Sequence, residues 1–532
     1  MIHIPRKRPC RTAVRWMILP FAMSSTLLFS FPISERKIRT LYASLDPRSV
    51  PQHLALYELC PHTPIGQQAL HEAWNLLSKK GCTIDSRFDP LPLPLSAIDA
   101  VVGLINQQPR GELPVLEDQE LEAIETLANQ LPHRQLKGAL ARNEEEILAL
   151  SPDEIDIGRG VFLTQMGSEE DAFRKIRSYE AMIDLMALQL LTKISFDATA
   201  QEKIRAINEM IFFDMGFRFP PHSLHAKDID LYTFLPSVLD SRHGVCLGVS
   251  ILYLCLAQRL DLSLEAVTPP GHIYIRYRNR EDEVINIETT ARGIHLDSKE
   301  YLSIDTRSLQ ERDAKEVVGL VHINQASVYW KEKKFAQALE SYKKAFLYLP
   351  DDMLLKELMA YNELFLGNRD KGEKLLREVE GFIPDYSVSK NTLIEDYFSH
   401  SVDQEGIQAV FMPVDETRES ILEKKKTLEK ILKTYPRFRE GLLSLAIAWL
   451  QLHREKEALE VLERYHAIES DNPTAEYYLT VIHAQRFNYT KAWKHFRHAQ
   501  RFVNDRNHDP QALKHLQKQL SILCPEYKEG NG

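Results

Sequence analysis

The chain has 532 residues, enough for three or four domains at roughly 150 residues each, which excludes a single small module. Hydrophobic residues make up 44%, charged residues 27% and aromatics 9%, an ordinary globular composition that excludes a largely disordered, collagenous or polytopic membrane chain. The net charge of −9 and pI near 6.1 lack the basic footprint of a nucleic-acid binder, so no nucleic-acid partner is expected.

Residues 1–43 read as an address. Arg6, Lys7, Arg8, Arg11 and Arg15 precede the uncharged stretch Trp16 to Ile33. Basic residues followed by apolar ones predict an export signal or a single membrane anchor through residues 16–33. Pro20, Pro32 and several hydroxyl residues dilute the stretch, and Arg36, Lys37 and Arg39 weaken the charge asymmetry. The alternatives are an apolar tail folded onto the body or a mis-assigned start codon, which would leave the chain cytoplasmic.

Residues 44–199 carry apolar residues at three and four spacing, as in Ala97 to Ile105, Leu121 to Leu131 and Ile176 to Ile194, and are expected to be helical without an identifiable site. Between 200 and 305 the texture changes. A helical pattern ends at Gly216, a polar loop with His222 and His225 follows, and a long apolar helix is expected from Cys246 to Leu260. Two strand-like alternations, His272 to Arg278 and Glu283 to Glu288, then flank the polar turn at Asn279 to Asp282, so this part is α+β.

From 314 onward the pattern is helical and repeats. Ala326, Tyr329, Ala338, Tyr342, Ala345 and Pro350 fall where a 34-residue tetratricopeptide repeat places small, aromatic and stop residues; Ala360, Gly372 and Pro384 lie 34 residues after Ala326, Ala338 and Pro350. Ala446, Trp449 and Ala458 open a second array that continues in Ala492, Phe496 and Ala499, with Glu363, Thr480 and His483 departing from the preferred types. The expected organisation is repeats over 314–386, an irregular insert over 387–417, repeats over 418–506 and a tail over 507–532. Stacked helix pairs leave a groove for another chain, so a protein or peptide partner is expected.

The chemistry-bearing residues lie in the central segment. Six cysteines without a CxxC pair indicate neither a disulfide framework nor a zinc ribbon. Cys246 follows Gly244 at the start of the apolar helix, where unsatisfied N–H groups and the helix dipole favour a thiolate. His272 opens the first strand and Glu288 closes the second; a hairpin turning about Arg280 would set them directly opposite, so that a carboxylate orients the imidazole that takes a proton from sulfur. A register slip would bring Asn286 or Thr290 into question as the orienting group. The plain alternative is a buried cysteine, a structural histidine and a hairpin-end acid. Cys255, nine residues along the helix, faces the other way and reads as core. His222, His225 and His243 do not make a convincing metal set, and no metal or cofactor is expected.

The run Gly244-Val245-Cys246, the Pro270-Gly271-His272 turn and the Ile287-Glu288 strand end, with Gly293 beyond, resemble the transglutaminase-like superfamily, and in particular a bacterial branch whose core is followed by tetratricopeptide repeats. The resemblance implies a papain-like α+β core within a mostly α chain that ends in an α-solenoid. It also implies catalytic roles for Cys246 as nucleophile, His272 as general base then acid, and Glu288 as orienting acid, where aspartate is more usual. The activity implied is that of a cysteine-dependent peptidase, amidase or transglutaminase working on a protein recruited by the repeats. The alternative function is a catalytically silent scaffold that mediates protein–protein interaction.

Overall fold

The computed structural model describes residues 34–78, 95–106, 111–220, 232–415 and 417–524. The basic-then-apolar segment through Ile33 and the pair His222 and His225 lie outside the described residues. Among those described, no helix is long and apolar enough to cross a membrane.

The N-terminal half is a helical bundle built of α1 (Glu35–Ala43), α2 (Val50–Leu59), α3 (Pro64–Leu77), α4 (Leu95–Asn106), α5 (Asp118–Ala128), α6 (Glu144–Leu148), α7 (Ile157–Met166), α8 (Glu170–Lys193) and α9 (Ala200–Asn208). A π-helical turn, Glu209–Asp214, extends α9 and ends near Gly216 at φ +71°. Then come α10 (Leu235–Ser241) and α11 (Cys246–Arg259). Helix α11 is apolar on every side, and it is buried on every side: Leu247 through Ala257 are all shielded from solvent. Gly248 permits this, since a Cβ there would sit 2.6 Å from the Tyr232 carbonyl oxygen.

A four-stranded antiparallel sheet covers one side of α11, with strands β1 (Glu265–Thr268), β2 (Tyr274–Arg278), β3 (Val284–Ile287) and β4 (Gln310–Arg312) in the order β3-β2-β1-β4. The hairpin β2–β3 agrees with the two alternations expected from sequence. Strands β1 and β4 are additions, too short at four and three residues to leave a periodic signal.

One hydrophobic core runs without a break from Val50 to Leu355, across the expected boundaries at 200 and 305. Beneath it lies a buried polar lattice. Arg259, wholly buried at the end of α11, donates from Nε to Asp184 Oδ1 of α8 at 2.6 Å, and Arg134 pairs with the same carboxylate. Arg159 of α7 forms a two-bond fork with Glu180 of α8 at 2.5 and 2.7 Å. Charges this deep persist only when paired, so the helical region clamps the far end of α11 in one position.

Beyond Asp313, which caps the next helix reciprocally with Glu316, helices pair as α12 (Ala314–Lys331) with α13 (Phe335–Tyr348), and α14 (Met353–Phe365) with α15 (Arg369–Val379). The short α16 (Leu393–Phe398) and α17 (Gln404–Val410) interrupt the series, followed by α18 (Arg418–Thr434), α19 (Arg439–Gln451), α20 (Glu455–His466), α21 (Pro473–Gln485), α22 (Tyr489–Asp505) and α23 (Gln511–Leu523). Ala326, Ala338, Ala345, Ala360, Ala446, Ala458, Ala492 and Ala499 are all fully buried, so the small residues that mark the repeat do sit where helices approach each other. The stretch after 507, expected as a tail, holds a helix that packs on the last pair through Leu513, Leu516 and Leu520.

The array curls back on the linker that follows the sheet. Ile304 and Val388 enter the core of the last repeat, His508 Nε2 lies 2.7 Å from the Ser303 carbonyl oxygen, and Arg307 donates to the Arg506 carbonyl at 3.1 Å.

Candidate active site

Cys246 is the first residue of α11, entered from an extended Val245. Its thiol therefore stands at the positive end of a 14-residue helix, among backbone N–H groups that have no intrahelical acceptor. A Cβ at Gly244 would come within 2.7 Å of Val249 Cγ2, so the tight entry into the helix requires glycine.

His272 is delivered by a turn. Its N–H donates to the Pro269 carbonyl oxygen at 3.0 Å while Gly271 holds φ +72°, a type II arrangement with proline and glycine at the two central positions. The Pro270-Gly271 pair is thus the reason the ring leaves the sheet edge at this point.

Glu288 lies one residue beyond β3, 4% exposed and saturated with donors. Thr290 gives both its N–H (3.1 Å) and its hydroxyl (2.6 Å) to Oε1; the Tyr301 hydroxyl (2.6 Å) and His272 Nε2 (2.8 Å) meet Oε2. Burial alone would raise this carboxyl, but hydrogen bonds from His272, Thr290 and Tyr301 overcome it and bring the pKa down to about 2. For His272, burial works against the charge, and hydrogen bonds to Cys246 and Glu288 outweigh it, pushing the pKa up to about 9. With Nε2 taken by the carboxylate, Nδ1 is the ring atom left for sulfur.

The hairpin turn is centred one residue later than expected, which shifts the pairing by two. Ile275 pairs with Ile287 and Arg276 with Asn286, so the turn centres on Glu281 rather than Arg280, and Glu288 stands opposite Tyr274, diagonal to His272. The offset is two residues along one strand, which preserves the face and keeps the contact. Asn286 does not orient the histidine; its Oδ1 accepts from Arg276 Nε at 3.1 Å. Thr290 acts one step back, on Glu288.

Tyr301, from a 3-10 turn at Ser298–Tyr301, was not legible as a site residue. Its ring stacks on Tyr274 (centroids 4.3 Å apart, 13° between planes) and on His272 (5.9 Å, 16°), while its hydroxyl reaches Glu288. No spacing rule links positions 288 and 301; only the chain path from β3 to β4 joins them. Elsewhere, Cys255 is buried, and burial pushes its thiol up to about 12, as its core reading requires. His243 Nδ1 lies 2.7 Å from the Ser241 carbonyl oxygen, away from any metal-ligating set.

Cys246 and His272 open into a cleft of about 680 Å³. It is lined by Pro269, Pro270 and Gly271 and by residues of the first repeats, Leu320, Ile323 and Ser327 of α12 and Leu354 and Leu358 of α14. Arg312 of β4 ties the two sets together, donating to Glu316 of α12 at 3.0 Å and to Asp352 at 3.4 Å.

Residues 177–319 match the sequence model of the transglutaminase-like superfamily. No curated protein matches the chain. Solved structures to which it is similar include a point mutant of MamA (15% identity, 35% of this chain and 98% of that chain, TM-score 0.18) and MamA from Desulfovibrio magneticus (12%, 35% and 96%, 0.19). A thermophilic TPR protein of Thermus thermophilus is similar at 15% identity, over 38% of this chain and 98% of that one, with a TM-score of 0.19. Residues 177–319 are a transglutaminase-like domain, and tetratricopeptide-like helix pairs follow it.

Proposed function

We propose that the chain is a thiol-dependent amide hydrolase or acyl transferase whose substrate is a protein or peptide segment recruited by the repeats. The observation that carries this reading is the cleft, which is lined by Cys246 and His272 together with helices of the first repeats. A segment held in this cleft would meet both the thiol and the repeat helices.

In this reading His272 takes the Cys246 proton through Nδ1 while Glu288 fixes the ring through Nε2. Sulfur attacks the amide carbonyl and a C–S bond forms. The C–N bond then breaks as the amine leaves with the proton held on His272. Water or a second amine, deprotonated by the same imidazole, releases the acyl group and returns the thiol. The Cys246 N–H at the helix start is a donor for the oxyanion. The raised basicity of His272 lets it hold the transferred proton at neutral pH.

The test pairs a small probe with a large one. Ile323→Arg and Leu354→Arg, both at cleft walls, should leave iodoacetamide labelling of Cys246 within about twofold but lower biotin-amine incorporation into casein, or ammonia release from it, at least about tenfold. Cys246→Ala should abolish both. Wild-type protein that labels at Cys246 yet never turns over protein substrates points instead to the scaffold reading.

A further inference from the structure

The last repeat breaks its own pattern at three positions, two of them buried. Leu432, Leu442 and Val461 are core residues of the preceding unit, exposed by 5%, 0% and 6%. Thirty-four residues on, one repeat later, the chain places His466, Glu476 and His495. A core that exchanges three aliphatic side chains for two imidazoles and a carboxylate loses apolar burial, so the replacement needs another source of stabilisation.

The three residues come from three successive helices: His466 ends α20, Glu476 lies in the first turn of α21 and His495 in the second turn of α22. Their ligand atoms lie within 4.8 Å of one another. His466 Nδ1 and Glu476 Oε1 stand 2.6 Å apart, yet neither makes a hydrogen bond of acceptable geometry with any group. Glu476 is 1% exposed, and its partners are all imidazoles; His495 Nδ1 is at 2.9 Å and His498 Nδ1 at 3.4 Å from Oε2. No lysine or arginine pairs with this carboxylate among the described residues. His483, at the repeat position that holds Trp449 one unit earlier, stacks on His495 (5.4 Å, 9°).

We infer that His466, Glu476 and His495 bind a divalent transition-metal ion, with His498 or water as fourth ligand. A carboxylate and two or three imidazoles are the donor set that suits Zn2+, in a tetrahedral site with nitrogen at about 2.0–2.1 Å, and small side-chain rotations would bring the atoms to one centre. The ion would staple α20, α21 and α22 at the end of the array, where it folds back on the Ser303 to Arg307 linker.

The test uses the full chain without a polyhistidine tag, loaded with Zn2+ and then gel-filtered, with retained metal measured by mass spectrometry. Wild type should keep about one ion per chain, and Co2+ in its place should give the visible bands of a tetrahedral centre. Glu476→Gln and His495→Asn should lose both signals, while His515→Asn, an exposed residue of α23, should keep them. Should either core variant unfold, His466→Asn, whose side chain is 26% exposed, decides: a loss of Zn2+ affinity of at least about tenfold supports the site and an unchanged affinity overturns it. Wild type that retains no zinc, or Glu476→Gln that retains as much as wild type, also overturns it.

Discussion

His272 Nε2 lies 2.8 Å from Glu288 Oε2, which leaves Nδ1 as the ring nitrogen not engaged by the carboxylate. In the proposed reaction the proton would pass from sulfur to Nδ1, with the charge that develops on the ring balanced across Nε2.

Replacing Glu288 by glutamine removes the negative charge and keeps the shape. The His272 pKa, held at about 9, should fall by at least about one unit toward the free value of about 6.5. An NMR titration of the His272 ring protons in wild type and Glu288→Gln measures it; equal midpoints would mean that the carboxylate is not what sustains the imidazolium.

The same pair sets a pH window for stability. His272 titrates higher in the folded chain than its ordinary 6.5, so its contribution is full below about 6.5 and is lost as pH rises through 9. Glu288 titrates lower than its ordinary 4.5, so its contribution is full above about 4.5 and is lost as pH falls through 2. The difference in Tm between wild type and Glu288→Gln should therefore be largest between about pH 4.5 and 6.5 and shrink on both sides. Thermal melts across pH 3 to 10 would reveal it.

Tyr301→Phe keeps the stacked ring and removes only the hydroxyl that donates to Glu288. A hydrogen bond to a buried carboxylate contributes about 2 kcal/mol, and the loss should appear as lower stability in urea together with a higher Glu288 pKa. A variant as stable as wild type would show that Glu288 does not need this donor.

Asp184→Ala should destabilise the chain by about 3–5 kcal/mol, because it strands Arg259 wholly buried without its carboxylate. Urea unfolding measures the loss. A companion reading is Cys246 reactivity in the folded variant: if the clamp fixes the start of α11 through its far end, labelling slows even where the fold survives.

The sequence made the chemistry legible where local rules govern it. Pro270-Gly271 announces a turn, Gly244 and the apolar run announce a helix start, and alternation announces β2 and β3. The 34-residue spacing placed the alanines that the structure buries completely. What sequence left out depends on chain paths that no period encodes: the centring of the turn on Glu281, the arrival of Tyr301 against His272, and the first repeats lining the cleft beside Cys246. His483 stood out as a departure from the repeat, but the histidine and acid cluster emerges only when three helices are superposed one repeat apart.

The most direct test of the account is the rate of Cys246 alkylation by iodoacetamide from pH 5 to 10, in wild type and His272→Ala, resolved from the other thiols by mass spectrometry. If Cys246 and His272 work as a pair, wild type reacts about tenfold faster at pH 7, and the two curves converge above about pH 9, where the imidazole has lost its charge. Superimposable curves throughout would contradict the pairing and leave the transglutaminase-like domain as a support for the repeats.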